Sequence, residues 1–353
     1  MALTPDIVST ALGDFDDIPL ELSGSFLSHV TDILNSVQKI QKTVYEESWG
    51  NTVAKVEALL AEQCTLDAAV GSLTTAPLAE GLLPVSITNN PLRYDLADFV
   101  PVPGKKLVAM DGQYRLVDQA HVDWQLIDAL QQLLSPDVDA VVEFGAGWGR
   151  NLANLLLRTQ NRTPDYIACE QSESGRYCFK RLFERSEGAS HECYPFDFYA
   201  PDFKMLDDRR HILAFTCAAI EQAALLPPAF LNDLLDAADS VTLVFYEPVG
   251  WQRFNNLARF GITKMLQEVG GLVPDEAMHQ NTYHYVLRDK HFHDNAVSWS
   301  LGCRYNANLL RMIKTYIDNF PDRLGTIRYD VFGTNPFNPY SLIVLSNRKD
   351  ADR

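Results

Sequence analysis

The spacing of apolar residues changes near residue 139. Before it, Phe26, Leu27, Val30, Ile33, Leu34, Val37, Ile40 and Val44 recur at three and four, which marks one face of a helix. Gly50 predicts the end of that helix, and a second is expected over 53–61. Pro77, Pro84, Pro91, Pro101 and Pro103 break any regular element across 74–104. Residues 106–118 alternate around Asp111-Gly112, a pattern that predicts a tight hairpin. Helical spacing returns over 120–134 and stops at Ser135-Pro136.

Beyond 139, short apolar runs alternate with helical stretches. Strands are expected at 140–144, 166–170, 211–217 and 241–247, with helices at 151–157 and 230–237. Such alternation predicts a parallel sheet covered by helices on both faces. Two further strands, 327–332 and 341–346, are joined by a link too short for a helical crossover, which predicts an antiparallel final pair.

Composition narrows the class. Hydrophobic residues make up 46% and charged residues 22% of 353, enough to bury a sizeable core. No apolar run approaches the ~20 residues that a membrane-spanning helix needs. Residues 1–17 carry Asp6, Asp14, Asp16 and Asp17 and no Lys or Arg, unlike a secretory leader, so a cytoplasmic location is expected. Cys64, Cys169, Cys178, Cys193, Cys217 and Cys303 form no CxxC pair and predict buried free thiols in a reducing compartment. The net charge of −16 repels phosphate backbones. A small-molecule or peptide partner therefore fits better than nucleic acid.

The stretch with the most chemical content is Glu143-Phe144-Gly145-Ala146-Gly147-Trp148-Gly149. Glycines after a strand permit a tight turn and close approach of backbone to a ligand. The helix that follows points free N–H groups the same way. The spacing is E-x-G-x-G-x-G, not the G-x-G-x-x-G of dinucleotide oxidoreductases. Glu170 ends the next strand, where a carboxylate can accept hydrogen bonds from a ribose diol. Asp197 sits in Tyr194-Pro195-Phe196-Asp197-Phe198, and Phe215-Thr216-Cys217-Ala218-Ala219-Ile220-Glu221 follows.

This ordered set resembles the class I S-adenosylmethionine-dependent methyltransferases. The likeness runs over about 139–250 plus the last two strands. It implies a Rossmann-like, doubly wound α/β fold whose seven-stranded sheet is mainly parallel with an antiparallel last strand, plus a helical N-terminal extension. The cofactor would be S-adenosyl-L-methionine. The residues implied to hold it are Glu143, Gly145, Ala146, Gly147, Gly149, Glu170, Gln171, Asp197, Phe198, Thr216 and Cys217. In that family Asp197 would meet the adenine amino group and Glu143 the methionine amino end. Residues 1–135 would cover the substrate, and 136–353 would form the catalytic domain, with a substrate-side insertion at about 251–326.

On the acceptor side, Tyr246 and Glu247 end a strand where open α/β sheets face their ligand crevice, although Glu247 alternatively caps a turn. Glu221 either holds a substrate amine or opens a helix. His279, His284, His291 and His293 lie within fifteen residues and read as a general base, a metal pair or surface residues; the site is expected to need no metal. The expected activity is methyl transfer to O or N of a small molecule, of natural-product or sugar type. The alternatives are a peptide or protein methyltransferase and a non-catalytic binding protein that keeps the fold.

Overall fold

The computed structural model describes residues 5–6, 24–75, 105–118, 121–253, 300, 305–333 and 338–347. Seven α-helices of six residues or more are present among them. They are α1 (Gly24–Ala61), α2 (Leu66–Thr75), α3 (Gln125–Leu133), α4 (Arg150–Thr159), α5 (Glu173–Phe183), α6 (Phe230–Leu235) and α7 (Leu309–Asn319). The strands are β1 (Lys105–Met110), β2 (Gln113–Asp118), β3 (Ala140–Phe144), β4 (Asp165–Glu170), β5 (His191–Pro195), β6 (His211–Cys217), β7 (Ser240–Glu247), β8 (Leu324–Gly333) and β9 (Tyr340–Ser346).

All nine strands form one sheet in the order β2-β1-β8-β9-β7-β6-β3-β4-β5. The five strands from β7 to β5 pair in parallel. β9 runs antiparallel to both β7 and β8. The seven strands β3 to β9 thus make a Rossmann-like sheet with its antiparallel strand last in sequence. The hairpin β1–β2 turns at Asp111-Gly112 and extends this sheet, because β1 pairs with β8 through Ala109 and Met110.

Neighbouring residues in a strand point to opposite faces, so a buried sheet needs apolar residues at nearly every position. Val142, Ala214 and Phe245 face one way, into a core closed by α6 and α7. Val141, Leu213, Phe215 and Val244 face the other, beneath α2 to α5 and the C-terminal part of α1. Burial of all five β3 side chains explains why Ala140–Phe144 reads as an unbroken apolar run around Glu143.

The expected break at Gly50 does not occur, and α1 is continuous. Helical glycine costs about 1 kcal/mol relative to alanine, which tertiary contacts outweigh here. Both halves grip α5. Glu46 accepts the backbone N–H of Glu173 and Ser174, and Glu57 pairs with Arg181 and Tyr177. Cys169 and Cys178 are buried free thiols, whereas Cys64, Cys193 and Cys217 are partly exposed; Cys303 lies outside the described residues. Among the described residues, no helix is long and apolar enough to cross a membrane.

A buried amide network fixes the segment after β6 to the start of α7. Asn308 accepts the Leu226 N–H and donates to the Leu226 carbonyl, both at 2.9 Å. Asn306 donates to Ala223, and Gln252 accepts the Leu310 N–H. Asn308→Ala would leave both Leu226 groups unpaired in the core. Each such group costs about 1–3 kcal/mol, so urea unfolding should show a loss of roughly 2–6 kcal/mol. A loss below about 0.5 kcal/mol, the size of an ordinary surface change, would refute this account of the network.

Candidate active site

The turn from β3 into α4 is built without side chains on its inner curve. Gly147 and Gly149 have φ of +54° and +82°, a region costly for residues with a Cβ. A Cβ on Gly149 would lie 2.3 Å from Cδ2 of Phe179 on α5, and one on Gly147 would lie 2.7 Å from Cζ2 of Trp49 on α1. At Gly145 the close neighbour is Ala219, just after β6, with the Phe198 ring beyond it. The sequence pattern implies that glycine here makes room for a ligand. The structure adds a second reason, since protein side chains pack against each position.

Three carboxylates lie at or just beyond the C-terminal ends of β3, β4 and β5. Glu143 is buried on β3, and its Oε1 accepts the Asn151 amide at 2.6 Å. Its Oε2 is equally buried and meets no hydrogen-bond donor. Burial pushes the Glu143 carboxyl up to about 8, against the lowering pull of the Asn151 amide, Arg150 and the Leu152 backbone N–H. Glu170 spans the turn: one oxygen accepts the Gly147 N–H at 2.8 Å, and the other accepts the Ser172 N–H and hydroxyl. Ser172 in turn caps α5 by accepting the Gly175 N–H. Asp197 accepts the Tyr199 N–H and, across both oxygens, the side-chain amide of Gln38.

The remaining cofactor candidates cluster around these acids. Ala146 is buried in the turn and Thr216 in β6, while the Gln171 carbonyl accepts Arg176 at 2.7 Å. Phe198 packs edge-on to Phe196. Burial raises the Cys217 thiol, with Arg150 pulling the other way.

On the acceptor side, each carboxylate already has work. Glu247 accepts three successive backbone N–H groups, from Ala219, Ile220 and Glu221, at 3.0–3.2 Å. It thereby shapes the loop after β6, where Ala218 takes a φ of +51°. Burial raises Glu247 to about 7, and those amides oppose the shift. Glu221 accepts amides of Gln222 and Asn338; burial, then Glu247, raise its pKa well above the carboxylate range. Tyr246 donates to Asp123 and stacks on Tyr340, with ring centroids 4.8 Å apart. His279, His284, His291 and His293 lie outside the described residues.

Sequence reasoning missed Gln38, Tyr45 and Trp49 on α1, and Asp123 before α3. Tyr45 and Trp49 stand one turn apart and continue the apolar stripe, which was the available signal. The Gln38–Asp197 contact spans 159 residues and left no local trace.

No protein-family model and no curated protein sequence matches the chain. Solved structures similar to it include EvdMO1, at 12% identity over 73% of this chain with a TM-score of 0.35. An O-methyltransferase family protein from Burkholderia thailandensis aligns at 9% identity over 64%, TM-score 0.34. The magnesium protoporphyrin IX methyltransferase from Synechocystis PCC 6803, solved with SAH, aligns at 14% identity over 63%, TM-score 0.35. The aligned part spans 47%, 56% and 80% of those chains, about half of each of the first two.

The raised Glu143 pKa has a consequence for stability. Its folded value of about 8 exceeds the usual 4.5, so the native state favours the protonated form. The stabilisation is complete below pH 4.5 and is lost as pH rises through 8. Glu143→Gln should therefore flatten the fall in stability between pH 5 and 8, by up to roughly 5 kcal/mol. Parallel pH profiles of the two proteins in urea melts would refute the assignment.

Proposed function

We propose that this protein is an S-adenosylmethionine-dependent methyltransferase acting on an oxygen or nitrogen of a small molecule in the cytoplasm. The observation that carries the reading is Glu143. A buried carboxylate oxygen without a donor is costly, and it lies at the strand end beside the glycine turn. A ligand ammonium placed there would supply the missing donor and return the carboxyl to its ordinary range. Glu170 and Asp197, in strand order beyond it, suit the ribose and the adenine amino group.

When bound, the cofactor supplies an electrophilic methyl group on a sulfonium. The chain's own contribution is alignment, exclusion of water and removal of the acceptor's proton. Glu143, Glu170 and Asp197 hold and orient the donor. Glu247 sets the loop 218–221 that borders Gly145, so its role is to position backbone. Residues 1–135 cover the site and 136–353 bind the cofactor, with acceptor specificity set by about 251–326. Because Glu221, Glu247 and Tyr246 are engaged elsewhere, we assign the proton acceptor to the segment bearing His279, His284, His291 and His293.

SAH should raise the melting temperature of the full chain, by about 2.7 kcal/mol of added stability at a hundredfold excess over Kd. Glu143→Gln should weaken its binding about tenfold, through loss of a charge-assisted hydrogen bond to the ligand ammonium. Calorimetry that finds tight NAD binding and none of SAH would sink the reading. For the base, turnover should rise with pH through the imidazole range, and one of four His→Asn variants should be crippled while the others stay mild. Four uniformly mild variants would remove the histidines from the mechanism.

A further inference from the structure

Gln38, Tyr45 and Trp49 are seven and four residues apart, so one face of α1 carries all three. That face follows the row of proposed cofactor positions. Trp49 packs on Gly147 in the turn. Burial, then the nearby charges of Glu221, Glu170 and Glu247, raise the pKa of the Tyr45 phenol. Gln38 reaches Asp197 beyond β5. Its single amide nitrogen stands 3.0 and 3.2 Å from the two carboxylate oxygens, between them. An exocyclic amine is also a nitrogen donor that needs this side of the same carboxylate. The Tyr199 N–H already occupies Oδ1 from its own loop at 2.9 Å. Gln38 and an adenine amino group therefore compete.

We propose that α1 is a gate on the cofactor groove, and that Gln38 holds Asp197 in the place the adenine amino group takes. The proposal rests on the cofactor reading above. Glu46 accepts N–H groups of Glu173 and Ser174 at 2.7 and 2.9 Å, which pins the helix to the start of α5. Opening is then a displacement of the part of α1 N-terminal to Glu46. A groove that binds only when open has its apparent affinity reduced by the fraction of molecules open. Breaking the latch without touching the groove should raise that fraction.

The test uses SAH as the probe on the full chain, by calorimetry and stopped-flow mixing. Gln38→Leu keeps the helix former and the apolar stem but removes the amide. SAH should bind about tenfold more tightly, the modest end for a hydrogen bond to a charged group. Association should also be faster. On an Asp197→Asn background the same change should shift affinity less than twofold, because the charged latch is already gone. A cooperative melt of each variant establishes that it is folded, and Gln38→Ala repeats the test with a smaller side chain. Unchanged or weaker SAH binding by both Gln38 variants, with wild type binding normally, would overturn the gate alone. Failure of wild type and variants alike to bind SAH would overturn the cofactor reading, and the gate with it.

Discussion

The turn between β3 and α4 must pass three other parts of the chain at once. Ala219 after β6, Trp49 on α1 and Phe179 on α5 each occupy space that a side chain on the turn would need. A methyl group at Gly149 would also sit on a left-handed backbone, so substitution there carries both strain and overlap. Glu170 then ties the turn to its neighbours, because one carboxylate joins the Gly147 amide to Ser172, the cap of α5. Movement of the turn is thereby coupled to β4, α5 and the long first helix.

Much of the sheet was legible because buried strands need continuous apolar runs. Ala140–Phe144 and His211–Cys217 fall where the hydrophobic pattern puts them. β5 was not legible. His191–Pro195 is a half-buried edge strand whose His, Glu, Tyr and Pro give no apolar run. α5 and α7 escaped as well, since their apolar residues are interleaved with Lys, Arg and Asp that face solvent. The acids of the site could be found by their order at strand ends. Their partners could not, nor could that of Tyr246, because Gln38, Asn338 and Asp123 reach across folds of the chain that no local pattern encodes.

Buried acids around the crevice are accommodated by different means. Glu247 and Glu170 are surrounded by backbone N–H donors, which solvate a negative charge without a counter-ion. Glu221 has two side-chain amides as partners, and its proximity to Glu247 opposes ionisation. Glu143 alone among these four keeps a buried oxygen without a donor, so it differs from the rest in kind. Backbone donors fix Glu247 and Glu170 in place, and the incompletely solvated Glu143 is the natural point for a cationic group.

The position of β9 bears on how the chain can be made. It lies between β7 and β8, although β7 ends at Glu247 and β9 begins only at Tyr340. During synthesis, β7 therefore presents an unpaired edge while residues 248–339 are added. Open edges of apolar strands recruit other strands, and β7 is buried along nearly its whole length in the finished fold. β1 waits longer still, since its partner β8 starts at Leu324. Pairings at such sequence distance are slow to form. Chaperone demand during translation should thus centre on the β7 edge, and the last pairing to close is the one that seals the middle of the sheet.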